Sequence, residues 1–108
     1  MIFDLDIRIQ APAVVDGTAE ALPFPDEAVD YVLMVTTLCF LDDAGQAMRE
    51  VHRVLRPGGA FVLAFIDRES RLGRRYEKHR ADSTFYRAAH FQSTPEVTRL
   101  LLAAGFQV

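Results

Sequence analysis

The chain reads as an α/β domain in which a parallel sheet carries flanking helices, and three adjoining stretches support that reading. Val29 to Val35, enclosing Tyr31, Val32, Leu33 and Met34, is an almost continuous apolar run, the pattern of a strand buried on both faces. An amphipathic stretch follows, where Ala44, Ala47, Met48, Val51 and Leu55 recur at helical spacing and Arg49, Glu50, His52 and Arg53 fall largely off the stripe. After Arg56-Pro57-Gly58-Gly59 comes a second apolar run, Ala60-Phe61-Val62-Leu63-Ala64-Phe65-Ile66. Strand, helix and strand in this order make a right-handed crossover unit.

The elements can be justified in order. Phe3, Leu5, Ile7 and Ile9 alternate with Asp4, Asp6, Arg8 and Gln10, which predicts an edge or antiparallel strand with one face in water. Pro12 has no N–H for a ladder and ends it. Ala13-Val14-Val15 leads to Gly17, where the missing side chain permits a tight turn. Asp42 or Asp43 is placed to cap the central helix, Pro57 cannot continue it, and Gly58-Gly59 supply a positive-φ reversal.

Beyond Asp67 the pattern weakens. Residues 71–80 fit a helix with Leu72 and Tyr76 on one face, although Gly73 weighs against it, and residues 84–87 fit a short helical or irregular piece. The last helix is clearer: Ser93 or Thr94 caps it, Pro95 stands in its first turn and Glu96 is placed to complete a capping box. Val97, Leu100, Leu101 and Ala104 point inward, Gly105 ends the helix, and Phe106-Gln107-Val108 reads as the opening of another strand.

Composition narrows the class. With 108 residues, half of them hydrophobic, the chain can bury one core but not two. A single Cys39 excludes an internal disulfide, which fits a reducing cytoplasm. The acidic start, Met1 to Asp6, is unlike a basic leader, and no apolar run approaches the ~18 residues of a membrane span. Residues 1–66 carry four Lys/Arg against ten Asp/Glu, whereas residues 67–90 carry seven against four. Because Asp67, Glu69, Glu77 and Asp82 dilute the basic stretch, it reads as a solvated helix face rather than a nucleic-acid surface. The spacing of His52, His79, His90 and Cys39 matches no zinc template, so no metal site is expected. Phe3-Asp4-Leu5-Asp6 imitates the opening of a haloacid-dehalogenase-type phosphatase, but Ile7-Arg8 replaces the Gly-Thr that should follow, and alternation explains both acids.

Two motifs carry a resemblance. Gly17-Thr18-Ala19-Glu20-Ala21-Leu22-Pro23-Phe24-Pro25-Asp26 leads into the first apolar run, and Leu55-Arg56-Pro57-Gly58-Gly59 leads into the second. Over roughly residues 14–108 the chain resembles the second half of a class I S-adenosylmethionine-dependent methyltransferase, in the ubiquinone/menaquinone-methyltransferase-like, type 11 branch. The resemblance implies a partial Rossmann-like fold: an atypical edge strand over 1–12, the adenine loop and central βαβ part over 14–66, a substrate-lid region over 67–92, and a C-terminal helix and strand start over 93–108. It implies S-adenosylmethionine as cofactor, with Gly17, Thr18, Ala19 and Glu20 near the adenine and Val35, Thr36 and Thr37 bordering its methionine part. Many relatives carry an acid where this chain has Thr18.

The same resemblance exposes a gap. Only about fifteen residues precede Gly17, none of them Gly, and they cannot encode the glycine-rich βα units that open the family fold. An N-terminally truncated domain is therefore expected, one that binds cofactor weakly or not at all by itself and self-associates as a homodimer through Phe3 to Ile9. The implied methyl acceptor is a small molecule. No catalytic residue is assigned, because methyl transfer from an activated sulfonium asks mainly for alignment; His79, His90, Tyr76 and Glu69 are the groups in the lid region able to take a proton. The alternative is a non-catalytic remnant that acts as a self-association or partner-binding module.

Overall fold

A computed structural model describes residues 2–5, 13–83 and 89–108. Strands β1 (Ile2–Leu5) and β2 (Ala13–Asp16) pair antiparallel, with Ile2 opposite Asp16 and Leu5 opposite Ala13. A separate parallel pair is formed by β3 (Val29–Val35) and β4 (Leu55–Ala64), joined by the crossover helix α1 (Ala44–Val54). Helices α2 (Arg71–His79) and α3 (Thr94–Ala103) follow. The α/β class with a parallel sheet and flanking helices is thus what the chain adopts. The antiparallel character expected of the first strand holds for Ile2–Leu5, while Ile7, Ile9 and Pro12 lie outside the described residues, as do residues 84–87.

Register in the parallel pair runs from Tyr31 opposite Ala60 to Val35 opposite Ala64, with a shift between Val29 and Tyr31 that accommodates the turn before Ala60. Both glycines of that turn have a reason. Gly58 sits at φ +82°, and a Cβ on Gly59 would lie 2.7 Å from the Asp30 carbonyl oxygen. Arg56 pairs with Asp30 at 3.0 Å across the same turn.

Helix α1 begins where the sequence places it. The Asp43 carboxylate accepts from the Gln46 N–H, and Ala44, Ala47, Met48, Val51 and Val54 are buried. Met48, Val51 and Val54 are the most enclosed large side chains, each stabilising the fold by about 1.5–3 kcal/mol relative to exposure. They share one core with Met34, Leu38, Leu41 and Val97, against which Val32, Phe61, Leu63, Leu100 and Leu101 pack.

That core lies on one face of the parallel pair only. Tyr31, Leu33, Val35 and Val62 are 77, 70, 54 and 55% exposed, so the run, contrary to its pattern, is not buried on both faces, and an apolar face is left under-covered, as the expected self-association requires. Apolar composition records a face's capacity for burial, and the described residues place no helix of the core over that side.

Helix α2 forms despite Gly73, and in fact requires it. Ser70 caps the helix by accepting from the Gly73 N–H, and a Cβ on Gly73 would lie 1.8 Å from the Asp67 carbonyl oxygen. Helix α3 is capped by Ser93, and Glu96 joins Ser93 Oγ at 3.0 Å and pairs with Arg68. Its end is a Schellman motif: Gly105, at φ +103°, donates to Leu102 and Phe106 donates to Leu101. Phe106-Gln107-Val108 do not open a strand, contrary to their pattern. Phe106 instead turns back onto His52 and Phe61, with ring centroids 5.0 and 5.6 Å away. No helix among the described residues is long and apolar enough to cross a membrane.

Candidate functional site

The loop between β2 and β3 is bolted to α1. Ala21 donates to the Thr18 carbonyl at 3.2 Å, making a tight bridge that leaves Thr18 exposed, Gly17 half-buried and Ala19 fully enclosed in the core. The Glu20 carboxylate accepts from the N–H groups of Asp42 and Asp43, and its carbonyl accepts from Gln46 Nε2 at 3.3 Å. Further along, the Leu22 N–H donates to Glu50 at 2.9 Å, and Arg53 reaches the Leu22 carbonyl at 3.1 Å, Glu50 at 2.7 Å and Asp26 at 2.8 Å. The hydrogen bond from Arg53 holds the Glu50 carboxyl below the usual carboxylate range, and Glu50 and Asp26 raise the Arg53 guanidinium above its ordinary value.

The second segment is the carboxyl end of β3. Thr36 sits at φ +54°, a left-handed conformation that strains a β-branched residue by about 1–3 kcal/mol. It is held there by donation from its N–H to the Ala64 carbonyl at 2.9 Å, while Thr37 Oγ1 donates to the Val35 carbonyl at 3.1 Å. A single 3-10 turn, Leu38–Phe40, then buries Leu38 and Cys39, and burial pushes the Cys39 thiol up.

These two segments meet. Ala19, Met34, Leu38 and Leu41 belong to one buried cluster, and the Glu20 contacts tie the loop to the residues just after Thr36 and Thr37. In open α/β sheets this end of the strands is where ligands lie. Of the residues expected at the site, Ala19 and Glu20 are thereby tied to the segment that follows Thr36 and Thr37, Val35 is exposed on the uncovered face of the sheet, and the Glu20 side chain is committed to the 42–43 turn.

A narrow crevice opens at the ends of β3 and β4, lined by Thr36, Leu38, Cys39, Phe65, Ile66 and Gln92. Gln92 reaches it because its backbone bridges Asp67, with Arg68 N–H donating to the Gln92 carbonyl at 2.9 Å. Its Oε1 is buried without a hydrogen-bond partner. Sequence reasoning passed over Gln92, since nothing local distinguishes it from a surface glutamine before a helix cap. None of the proton-taking candidates lines this crevice, although Tyr76 packs on the Cys39, Ala89 and Phe91 cluster beside it. His79 is exposed and 3.9 Å from Asp82, His90 is exposed, Glu69 pairs with Arg68 and Arg74 at 3.5 Å, and Tyr76 stacks on Phe91 at 6.1 Å. Among the described residues no three His, Cys, Asp or Glu side chains form a metal-binding group.

Comparison with known proteins adds the family context. A family model described as a methyltransferase domain matches residues 4–63. An uncharacterised protein of Methanocaldococcus jannaschii is 39% identical over 94 residues, covering 87% of this chain and 46% of the relative. A crystal structure from Thermotoga maritima, described as an S-adenosylmethionine-dependent methyltransferase and possible histamine N-methyltransferase, matches with a TM-score of 0.83 at 49% identity, over 87% of this chain and 45% of that one. A ubiquinone/menaquinone biosynthesis C-methyltransferase of Hahella chejuensis is 49% identical over 49 residues, 45% of this chain and 20% of the relative. The chain spans less than half the length of each of these proteins.

Proposed function

Because this chain belongs to the family of methyltransferase domains, we propose that it supplies one wall of the cofactor site of an S-adenosylmethionine-dependent methyltransferase and the acceptor side of that site. The observation that carries this is the strained Thr36, held at the carboxyl end of β3 beside a loop clamped by Glu20, Glu50 and Arg53. Strain of this kind persists where surrounding structure over-determines it, and such places cluster at ligand clamps.

The residues present fit part of the cofactor. Backbone at Gly17, Thr18 and Ala19 faces the adenine, Val35, Thr36 and Thr37 border the methionine portion, and Glu20 positions the loop rather than touching the base. The bound cofactor supplies an activated methyl group on a sulfonium. The chain's part is alignment and exclusion of water, so no general base is required. Residues 67–92 act as the lid over a small-molecule acceptor, in a cytoplasmic protein. The Hahella chejuensis match supports placement in the ubiquinone/menaquinone-like branch. Amide NMR of the chain titrated with S-adenosylhomocysteine tests this: shifts should concentrate at residues 17–20 and 35–37, and shifts confined elsewhere refute the assignment.

The exposed Tyr31, Leu33, Val35 and Val62 favour a partner on that face. A second copy of the chain covers it in isolation, giving a homodimer through the sheet face in addition to the Phe3 to Ile9 segment, whose first residues pair with β2 along one edge. Sedimentation of the chain and of Leu33→Lys distinguishes the cases: a dimer that dissociates in the variant is expected, and a monomer at tens of micromolar contradicts it.

A further inference from the structure

We propose that Gln92 is the polar contact for the methyl acceptor, and that the acceptor carries an apolar body with a hydrogen-bond-donating N–H or O–H head. This rests on the methyltransferase reading and names the substrate class of that same site. Two costs fall on one crevice. Gln92 Oε1 is buried without a partner, and Thr36 on the opposite lining is held at φ +54°. Native structures leave few buried acceptors unpaired, and those they leave call for a ligand or an ordered water.

The lining decides what that ligand is. Leu38, Phe65 and Ile66 are apolar and no charged side chain among the described residues lines the crevice, so a carboxylate entering it would meet a carbonyl oxygen and none of their cations. A donor satisfies Oε1 directly. The crevice admits a single water-sized group, which fits an amine nitrogen or a hydroxyl oxygen, with the body lying over the apolar rim. The backbone of Gln92 is fixed by Arg68 N–H at 2.9 Å, so the amide is presented at the carboxyl end of β4 from a rigid support.

The test uses the full chain with three isosteric probes, benzylamine, benzyl alcohol and benzonitrile, following the Gln92 side-chain amide by NMR. Benzyl alcohol, a neutral donor, should shift that signal and bind at least about tenfold tighter than benzonitrile, benzylamine should fall between them because its ammonium loses water in an apolar crevice, and Gln92→Met should abolish the preference. Should Gln92→Met not fold, Gln92→Glu serves, with benzylamine gaining over benzyl alcohol. Equal binding of all three probes, a preference that survives Gln92→Met, or no binding by the folded chain overturns the proposal. The probes need no cofactor, so the two readings separate: S-adenosylhomocysteine shifts at residues 17–20 and 35–37 without donor preference defeat this inference alone, and donor preference with S-adenosylhomocysteine shifts confined elsewhere defeats the methyltransferase reading.

Discussion

The Glu20 carboxylate accepts hydrogen bonds from the backbone N–H of Asp42 at 3.0 Å and of Asp43 at 3.2 Å. An acid in the loop that resembles an adenine-binding motif is thereby a fastener between that loop and the start of α1. Both bonds are exposed to solvent, which brings the contribution of each to about 0.5–1.5 kcal/mol. Glu20→Ala should lower stability by about 1–3 kcal/mol and speed hydrogen exchange at the Asp42 and Asp43 amides. Unchanged exchange there would mean that the fastening is not made.

Acid should loosen the same loop. Arg53 holds the Glu50 carboxyl below its ordinary value, so in the folded chain Glu50 takes its proton at a lower pH than in the unfolded chain. Between those values the unfolded state binds more protons. The contribution is therefore complete above the unfolded value near ~4.3 and is lost as pH falls through the folded one. The urea midpoint should drop on acidification below about pH 4, and less steeply in Glu50→Gln.

Relief of backbone strain gives a prediction of opposite sign. Thr36→Gly removes the clash of a β-branched residue at φ +54° and should raise stability by about 1 kcal/mol, after the entropy that glycine adds to the unfolded chain. A calorimetric thermal midpoint measures it, and a lowered midpoint would mean that the Thr36 side chain stabilises the fold by contacts that outweigh the strain.

Gly73→Ala should cost about 1–3 kcal/mol or displace the first turn of α2, because the new Cβ would stand 1.8 Å from the Asp67 carbonyl oxygen. Denaturant unfolding and helical circular dichroism read both outcomes. A neutral substitution would show that α2 sits farther from Asp67.

What the sequence disclosed follows from range. The crossover unit was legible because its signals are local: the stripe Ala44 to Val54, the Asp43 cap and the Gly58-Gly59 turn each act within a few residues. That Thr18 and Ala19 share a site with Thr36 and Thr37 is what the family resemblance implies. The structure adds how Glu20 and Arg53 tie that loop to α1. Gly73 was misjudged because helix propensity ignores a carbonyl approaching from outside the helix. Tyr31 and Leu33 were expected to be buried because pattern registers apolar character but not whether something packs against it. Phe106 followed the same logic in reverse, leaving a strand pattern to pack on His52. Gln92 had no sequence signal, since its crevice is assembled from β3, β4 and the approach to α3.

Calorimetric titration of the purified chain with S-adenosylhomocysteine tests the central claim most directly. Thr18 stands exposed in the loop proposed to face the adenine, and its hydroxyl is a weaker acceptor than a carboxylate, while each polar group of the ligand that this chain leaves without a partner costs about 1–3 kcal/mol. The account predicts weak, saturable binding with a Kd above about 10 μM, tightened severalfold by Thr18→Asp through a charged acceptor for the adenine amino group. Submicromolar binding by a demonstrated monomer would contradict it.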